Sequence, residues 1–159
     1  MAKALIIYAS WTGNTEEIAR ILAETLSKLS IEVEWIECQQ IDASAFLSAD
    51  ICVIATYTFG SAGDLPAEFE AIYFDLEKLN LKGKVFGVLG SGEELYGYFC
   101  KSVDDFDKQF EFTGAIRGAE VLKIELNPKP KDKNRIEKFG TDLIHSFSKL
   151  KSTEKLNQI

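Results

Sequence analysis

The chain has 159 residues and is 46% hydrophobic, which suffices for one globular core and leaves no room for a second domain. A formal net charge of -7 and an isoelectric point near 4.8 weigh against nucleic acid, whose binders need a basic footprint. No run approaches the roughly 18 apolar residues of a membrane span, and three cysteines without a Cys-x-x-Cys pair argue against a zinc site, an iron-sulfur cluster or a disulfide framework.

Met-Ala-Lys leads directly into the first expected strand, so the expected location is cytoplasmic. Residues 4–9, Ala-Leu-Ile-Ile-Tyr-Ala, are the short, nearly continuous apolar run of a strand buried on both faces. Residues 10–15 follow as Ser-Trp-Thr-Gly-Asn-Thr, and behind them Ile18, Ile21, Leu22, Leu26 and Leu29 recur at helical spacing. The loop therefore delivers the chain into a helix N-terminus. Unpaired amides and the positive end of the helix dipole favour an anion there, and Ser10, Thr12, Asn14 and Thr15 add short polar groups. The same residues are also ordinary N-cap chemistry, with Thr12 or Asn14 as cap and Glu16 and Glu17 behind, so this loop alone leaves both readings open.

Residues 31–36 alternate apolar and polar, the pattern of an edge strand with one wet face. Residues 51–56 form a second unbroken apolar strand. The loop behind it holds Tyr57, Thr58, Phe59, Gly60, Ser61 and Gly63, and Pro66 is placed to open a helix over roughly 66–79. A fourth strand at 84–89 runs into Gly90, Ser91 and Gly92. Glu93, Glu94, Tyr96 and Tyr98 precede the helical pattern of Phe99, Val103, Phe106 and Phe110, with Cys100 at its start. A fifth strand at 119–126 and a last helix carrying Ile136, Phe139, Leu143 and Phe147 complete a single domain over 1–150, with a frayed tail at 151–159. The lone His145 has no ligand-type neighbour at metal spacing and receives no role.

Five strands alternating with helices imply a three-layer α/β fold with right-handed crossovers. In a parallel sheet of order 2-1-3-4-5, ligands bind at the strand carboxyl ends near the switch between strands 1 and 3. The loops at 10–15, 56–66 and 90–100 are the ones this topology would gather. The first lacks both Gly-x-x-x-x-Gly-Lys-Ser/Thr and Gly-x-Gly-x-x-Gly, which disfavours ATP and NAD. Its phosphate would be held by neutral hydrogen bonds and the helix dipole. Phe59 and Tyr96 in the other two loops could sandwich a planar heterocycle, with backbone amides near Gly60 and residues 91–93 along its edge. Together the loops favour a flavin phosphate.

Ser-x-Thr-Gly-Asn-Thr at 10–15, Thr58-Phe59-Gly60, and Gly-Ser-Gly-Glu-Glu-Leu-Tyr-Gly-Tyr-Phe-Cys at 90–100 resemble the three FMN-binding loops of the flavodoxins. Without a long insertion in the fifth strand, the chain resembles the short-chain kind. The resemblance implies a flavodoxin-like sandwich whose phosphate loop uses Ser10, Thr12, Asn14 and Thr15, with Trp11 and Gly13 contributing backbone. Phe59 and Tyr96 would flank the ring, and Thr56, Tyr57, Thr58, Gly60, Ser61, Ser91, Gly92, Glu93, Tyr98, Phe99 and Cys100 would complete the site.

Where many flavodoxins carry tryptophan, Phe59 stands here, and Tyr57 replaces a smaller hydroxyl residue. The resemblance further implies a Gly60–Ser61 peptide flip on one-electron reduction, and low-potential one-electron shuttling between semiquinone and hydroquinone. Asp64, Glu93 and Glu94 would help to lower the potential of that couple. Electrons would pass from a flavodoxin reductase-type donor to low-potential acceptor enzymes, through transient complexes of a monomer with partners bearing basic faces. Charge is spread unevenly, with 8 acids and 3 bases in residues 1–59, 11 and 5 in 60–111, and 6 and 10 in 112–159. Such asymmetry can orient an encounter. Two alternatives use the same fold. A quinone reductase-type flavoenzyme would need a substrate base that no residue obviously supplies, and a phosphoryl-receiver domain wants an Asp where Thr56 stands.

Overall fold

A computed structural model describes residues 1–58, 63–94 and 97–158. Six strands, β1 (Lys3–Tyr8), β2 (Glu32–Glu37), β3 (Ile51–Tyr57), β4 (Val85–Gly92), β5 (Ile116–Arg117) and β6 (Leu122–Glu125), form one parallel sheet. Its order is β2-β1-β3-β4-β5, with β6 also paired to β4. The expected order of five strands holds, with one refinement. Instead of one strand over 119–126, the last position is split into β5 and β6, both in parallel register with β4. Across the break the Gly118 amide still donates to Phe86 O at 2.7 Å, so the chain leaves the ladder only briefly.

Successive residues in the central strands point to opposite faces. Ala4, Ile6, Ile51, Val53 and Ala55 pack beneath helices α1 (Asn14–Lys28) and α4 (Pro130–Asn157), against Ile18, Leu22, Ile136 and Leu143. Leu5, Ile7, Cys52, Ile54, Phe86 and Val88 face α2 (Glu70–Leu76) and α3 (Lys101–Glu111). Burial of both faces explains the continuous apolar runs of β1 and β3. The second layer is aromatic: Phe86 stacks on Phe110 at 4.7 Å and 12°, and Phe69 meets Phe106 edge-on at 4.8 Å. Each such ring contributes about 1.5–3 kcal/mol by burial.

Three boundaries differ from the sequence expectation. Pro66 does not open an α-helix; it precedes a 3₁₀ turn at Ala67–Phe69, and α2 begins only at Glu70. Neither Thr12 nor Asn14 caps α1. Its N-cap is Gly13, with φ 92° and ψ -10°, and no side chain caps the helix. Finally, α4 runs to Asn157 where a frayed tail was expected from residue 151, its last turns carrying a Lys151–Glu154 ion pair at 3.1 Å. At the other end of α4, Pro130 takes the first helical position, where its missing amide costs nothing.

Candidate functional site

The carboxyl ends of β1, β3 and β4 open onto a cavity of about 300 Å³, at the lower end of the range for small-molecule sites. Trp11, Thr12, Asn14 and Thr15 line it from the first loop and the start of α1. Tyr57 and Thr58 line it from the exit of β3, and Ser91, Gly92 and Glu93 from the exit of β4. The topology thus gathers residues from all three loops singled out in the sequence. Glu93 is the one charged residue among the described residues of the lining, and no lysine or arginine is among them.

The first loop is shaped to present backbone amides. Gly13 sits at positive φ, and its amide donates to Ser10 Oγ at 3.1 Å, closing a tight turn ahead of α1. The first bond of the helical ladder runs from Glu17 N–H to Gly13 O. The amides of Asn14, Thr15 and Glu16 therefore precede the ladder, and no side chain caps them. An uncapped helix start opening into a cavity carries the partial positive charge that an anion needs.

Thr15 is buried, and its Oγ1 lies 2.8 Å from Oγ of the equally buried Ser91, a link between the start of α1 and the end of β4. At the other wall the Trp11 and Tyr57 rings meet edge-on, 6.3 Å apart. The Tyr57 hydroxyl donates to Glu68 Oε1 at 2.6 Å. Burial, reinforced by that carboxylate, pushes the Tyr57 phenol above its ordinary pKa, so it remains a protonated donor at neutral pH. Behind β4, a Cβ on Gly90 would lie 2.0 Å from Thr56 O, so β3 and β4 can run this close only with glycine there.

Not every residue implied by the resemblance reaches the cavity. Thr56 and Cys100 are completely buried in the core, the Cys100 thiol 3.9 Å from both Gly90 O and Ile124 O. Phe99 packs on the α2/α3 layer, and Tyr98 is exposed. Ser10 acts through the Gly13 amide and does not line the cavity. Phe59, Gly60, Ser61 and Tyr96 lie outside the described residues. Leu126, missed in the sequence, joins the lining: it adopts φ 57° and its amide donates to Gly92 O at 2.9 Å. A left-handed leucine after a strand leaves no periodic signal.

Cavity, uncapped amides and neutral hydroxyls together fit a phosphate-bearing heterocycle such as FMN. Comparison with known proteins points the same way. The sequence matches the Flavodoxin family over residues 6–140. It is 42% identical over 129 residues to Probable flavodoxin 1 of Bacillus subtilis strain 168, covering 81% of each chain. The solved flavodoxin of Streptococcus pneumoniae TIGR4 superposes with a TM-score of 0.88 at 50% identity, over 91% of this chain and 99% of that one. A short-chain flavodoxin associated with a PDU bacterial microcompartment superposes with a TM-score of 0.90 at 42% identity, over 92% and 99%.

Proposed function

The chain belongs to the flavodoxin family of FMN-binding electron carriers, and from that premise we propose how its own residues hold the cofactor and tune it. The uncapped start of α1 carries this reading. The amides of Asn14 to Glu16, with the hydroxyls of Thr12 and Thr15 and the Asn14 carboxamide, surround the phosphate with neutral donors. Ser10 holds Gly13 in the turn that aims those amides. Tyr57, Thr58 and residues 91–93 form the wall along which the ring system lies, and Phe59 and Tyr96 are proposed to flank it.

Bound there, FMN supplies one-electron chemistry, and no substrate bond is broken. The chain's part is to exclude water from one side, to align backbone donors and to set the local charge. With no cation among the described lining residues, the phosphate charge stays uncompensated; Glu93 at the rim, together with Asp64 and Glu94, makes further negative charge on the ligand costly. That supports a low-potential carrier. A net charge of -7 supports transient encounters with the basic faces of a reductase-type donor and of acceptor enzymes. No described helix is long and apolar enough to cross a membrane, and we propose a cytoplasmic monomer.

The test is titration of apoprotein with FMN and riboflavin, followed by anaerobic reduction of the loaded protein. Tight FMN binding, weaker riboflavin binding and reduction in two resolved one-electron steps are expected. Apoprotein that takes up no FMN would refute the assignment of this cavity, and equal affinity for the two flavins would refute the phosphate role of the first loop.

A further inference from the structure

Ser102, which no motif in the sequence singles out, is completely buried at the start of α3, and its hydrogen-bond partners all belong to the exit of β3. Its Oγ lies 2.7 Å from Tyr57 O, 3.0 Å from Thr58 Oγ1 and 3.3 Å from Thr56 Oγ1. Its backbone N–H donates to Thr58 Oγ1 at 3.0 Å.

The shortest contact in this group, 2.7 Å from Ser102 Oγ to Tyr57 O, orders its protons. A carbonyl only accepts, so the single hydroxyl proton of Ser102 goes to Tyr57 O. Thr58 must then be the donor in its 3.0 Å contact with Ser102 Oγ, while its own oxygen accepts the Ser102 amide. The Thr56 hydroxyl donates into the same group, toward Tyr57 O at 3.2 Å. The Thr58 amide is engaged as well, donating to Ser91 O at 3.3 Å. A buried network with every member satisfied has one arrangement, and it holds the backbone it touches in one place.

We propose that Ser102 is the positioning residue for this wall of the cavity: it fixes the backbone of Tyr57 and Thr58 and keeps the Thr58 hydroxyl proton inside the protein, so that Thr58 offers a ligand no hydroxyl donor. The consequence for the ligand rests on the flavin reading of the cavity; the network itself does not. Among the described residues, the hydrogen bonds of Ser102 go to Thr56, Tyr57 and Thr58 and none to the first loop, so on the flavin reading its loss should weaken the whole flavin and leave the preference for a phosphate untouched.

The experiment measures FMN and riboflavin binding to apoprotein for the wild type, Ser102→Ala, Thr58→Val and the double variant, together with hydrogen exchange at the Thr58 amide. Ser102→Ala should weaken both flavins by the same factor, about tenfold for the loss of one or two buried hydrogen bonds, and should speed Thr58 exchange. Thr58→Val acts on the same bonds, so the double variant should bind little worse than either single one. Additive losses would show that Thr58 gives its proton to the flavin and would overturn the assignment. A Ser102→Ala protein that melts lower yet binds both flavins and protects Thr58 as the wild type does would reduce Ser102 to core packing and refute the proposal. Should the alanine variant fail to fold, Ser102→Cys, of similar size and weaker donor strength, carries the same comparison. If wild-type apoprotein binds no flavin, the proposed cavity assignment fails, and the exchange measurement still decides the role of Ser102 in holding Thr58.

Discussion

Replacing Gly13 by alanine separates conformation from contact at the head of α1. An added Cβ would meet no atom within 4 Å, so the substitution introduces no clash. What it introduces is strain: φ 92° with ψ -10° lies in the left-handed region, which costs an L-residue about 1–2 kcal/mol. For a chain of 159 residues that is a fall in Tm of about 2–8 °C. The chain can escape the strain only by rotating Gly13 out of this region, which breaks its 3.1 Å bond to Ser10 Oγ and turns the amides of Asn14 to Glu16 away from the cavity. With that rotation the phosphate suffers. Losing one amide bond to a charged group removes about 1.5 kcal/mol or more, so FMN should bind at least about tenfold more weakly, while riboflavin affinity stays near that of the wild type. Gly13→Asn, a residue that tolerates this region better, should recover part of both losses. Differential scanning calorimetry of apoprotein and fluorescence titration with the two flavins supply the readings. A variant with unchanged Tm and unchanged FMN affinity would show that the turn at Gly13 does not set the site.

Gly90→Ala should be far more damaging, because its Cβ would lie 2.0 Å from Thr56 O inside the β3–β4 ladder; expression as soluble protein with a wild-type Tm would contradict the packing described here. Asp132 connects stability to pH. Burial alone would raise its pKa, but the Lys129 amide at 3.0 Å and the Arg135 guanidinium at 2.9 Å outweigh it and hold the carboxyl below its ordinary value. A depressed folded pKa contributes stability that is complete above the unfolded value near 3.9 and is lost as pH falls through the folded one. Asp132→Asn should therefore lower urea stability at pH 7 by about 1 kcal/mol and by much less near pH 2–3; an equal loss at both would rule out the charge. Cys38, Cys52 and Cys100 are all buried, and burial raises each thiol, Cys52 and Cys100 to about 12. An aromatic disulfide reagent should label native protein slowly and unfolded protein at once, and fast labelling of the native form would contradict their burial.

The central place of β1 and β3 was legible because unbroken apolar runs mark strands buried on both faces; the order itself followed from the doubly wound topology that alternating strands and helices imply, and a parallel sheet of that order has one place to gather its loops. The shape of the first loop was half legible. Ser10 to Thr15 announced polar chemistry, but only the geometry shows that no side chain caps α1 and that Gly13 leaves its amides to a ligand. Ser102 was invisible because a serine in the first turn of a helix is commonplace in sequence; its meaning comes from Tyr57 and Thr58, more than forty residues away. Leu126 escaped for a related reason, since a lining role set by φ 57° follows no spacing. The continuation of α4 to Asn157 was not legible from Lys151, Ser152 and Glu154, which are as compatible with an exposed helix as with a loose end.

The sheet ends in two borders of different character. An open strand edge is a row of unpaired peptide groups, a template onto which another molecule's strand can add. Here one border is β2, whose six residues include Glu32, Glu34 and Glu37, and the other is broken into pieces of two and four residues. Like charges repel a second copy at the first border, and no long straight edge exists at the second. The same arrangement makes protection depend on ionic strength: salt screens the charges that keep a second copy away from β2, the border along which sheets from different molecules would join.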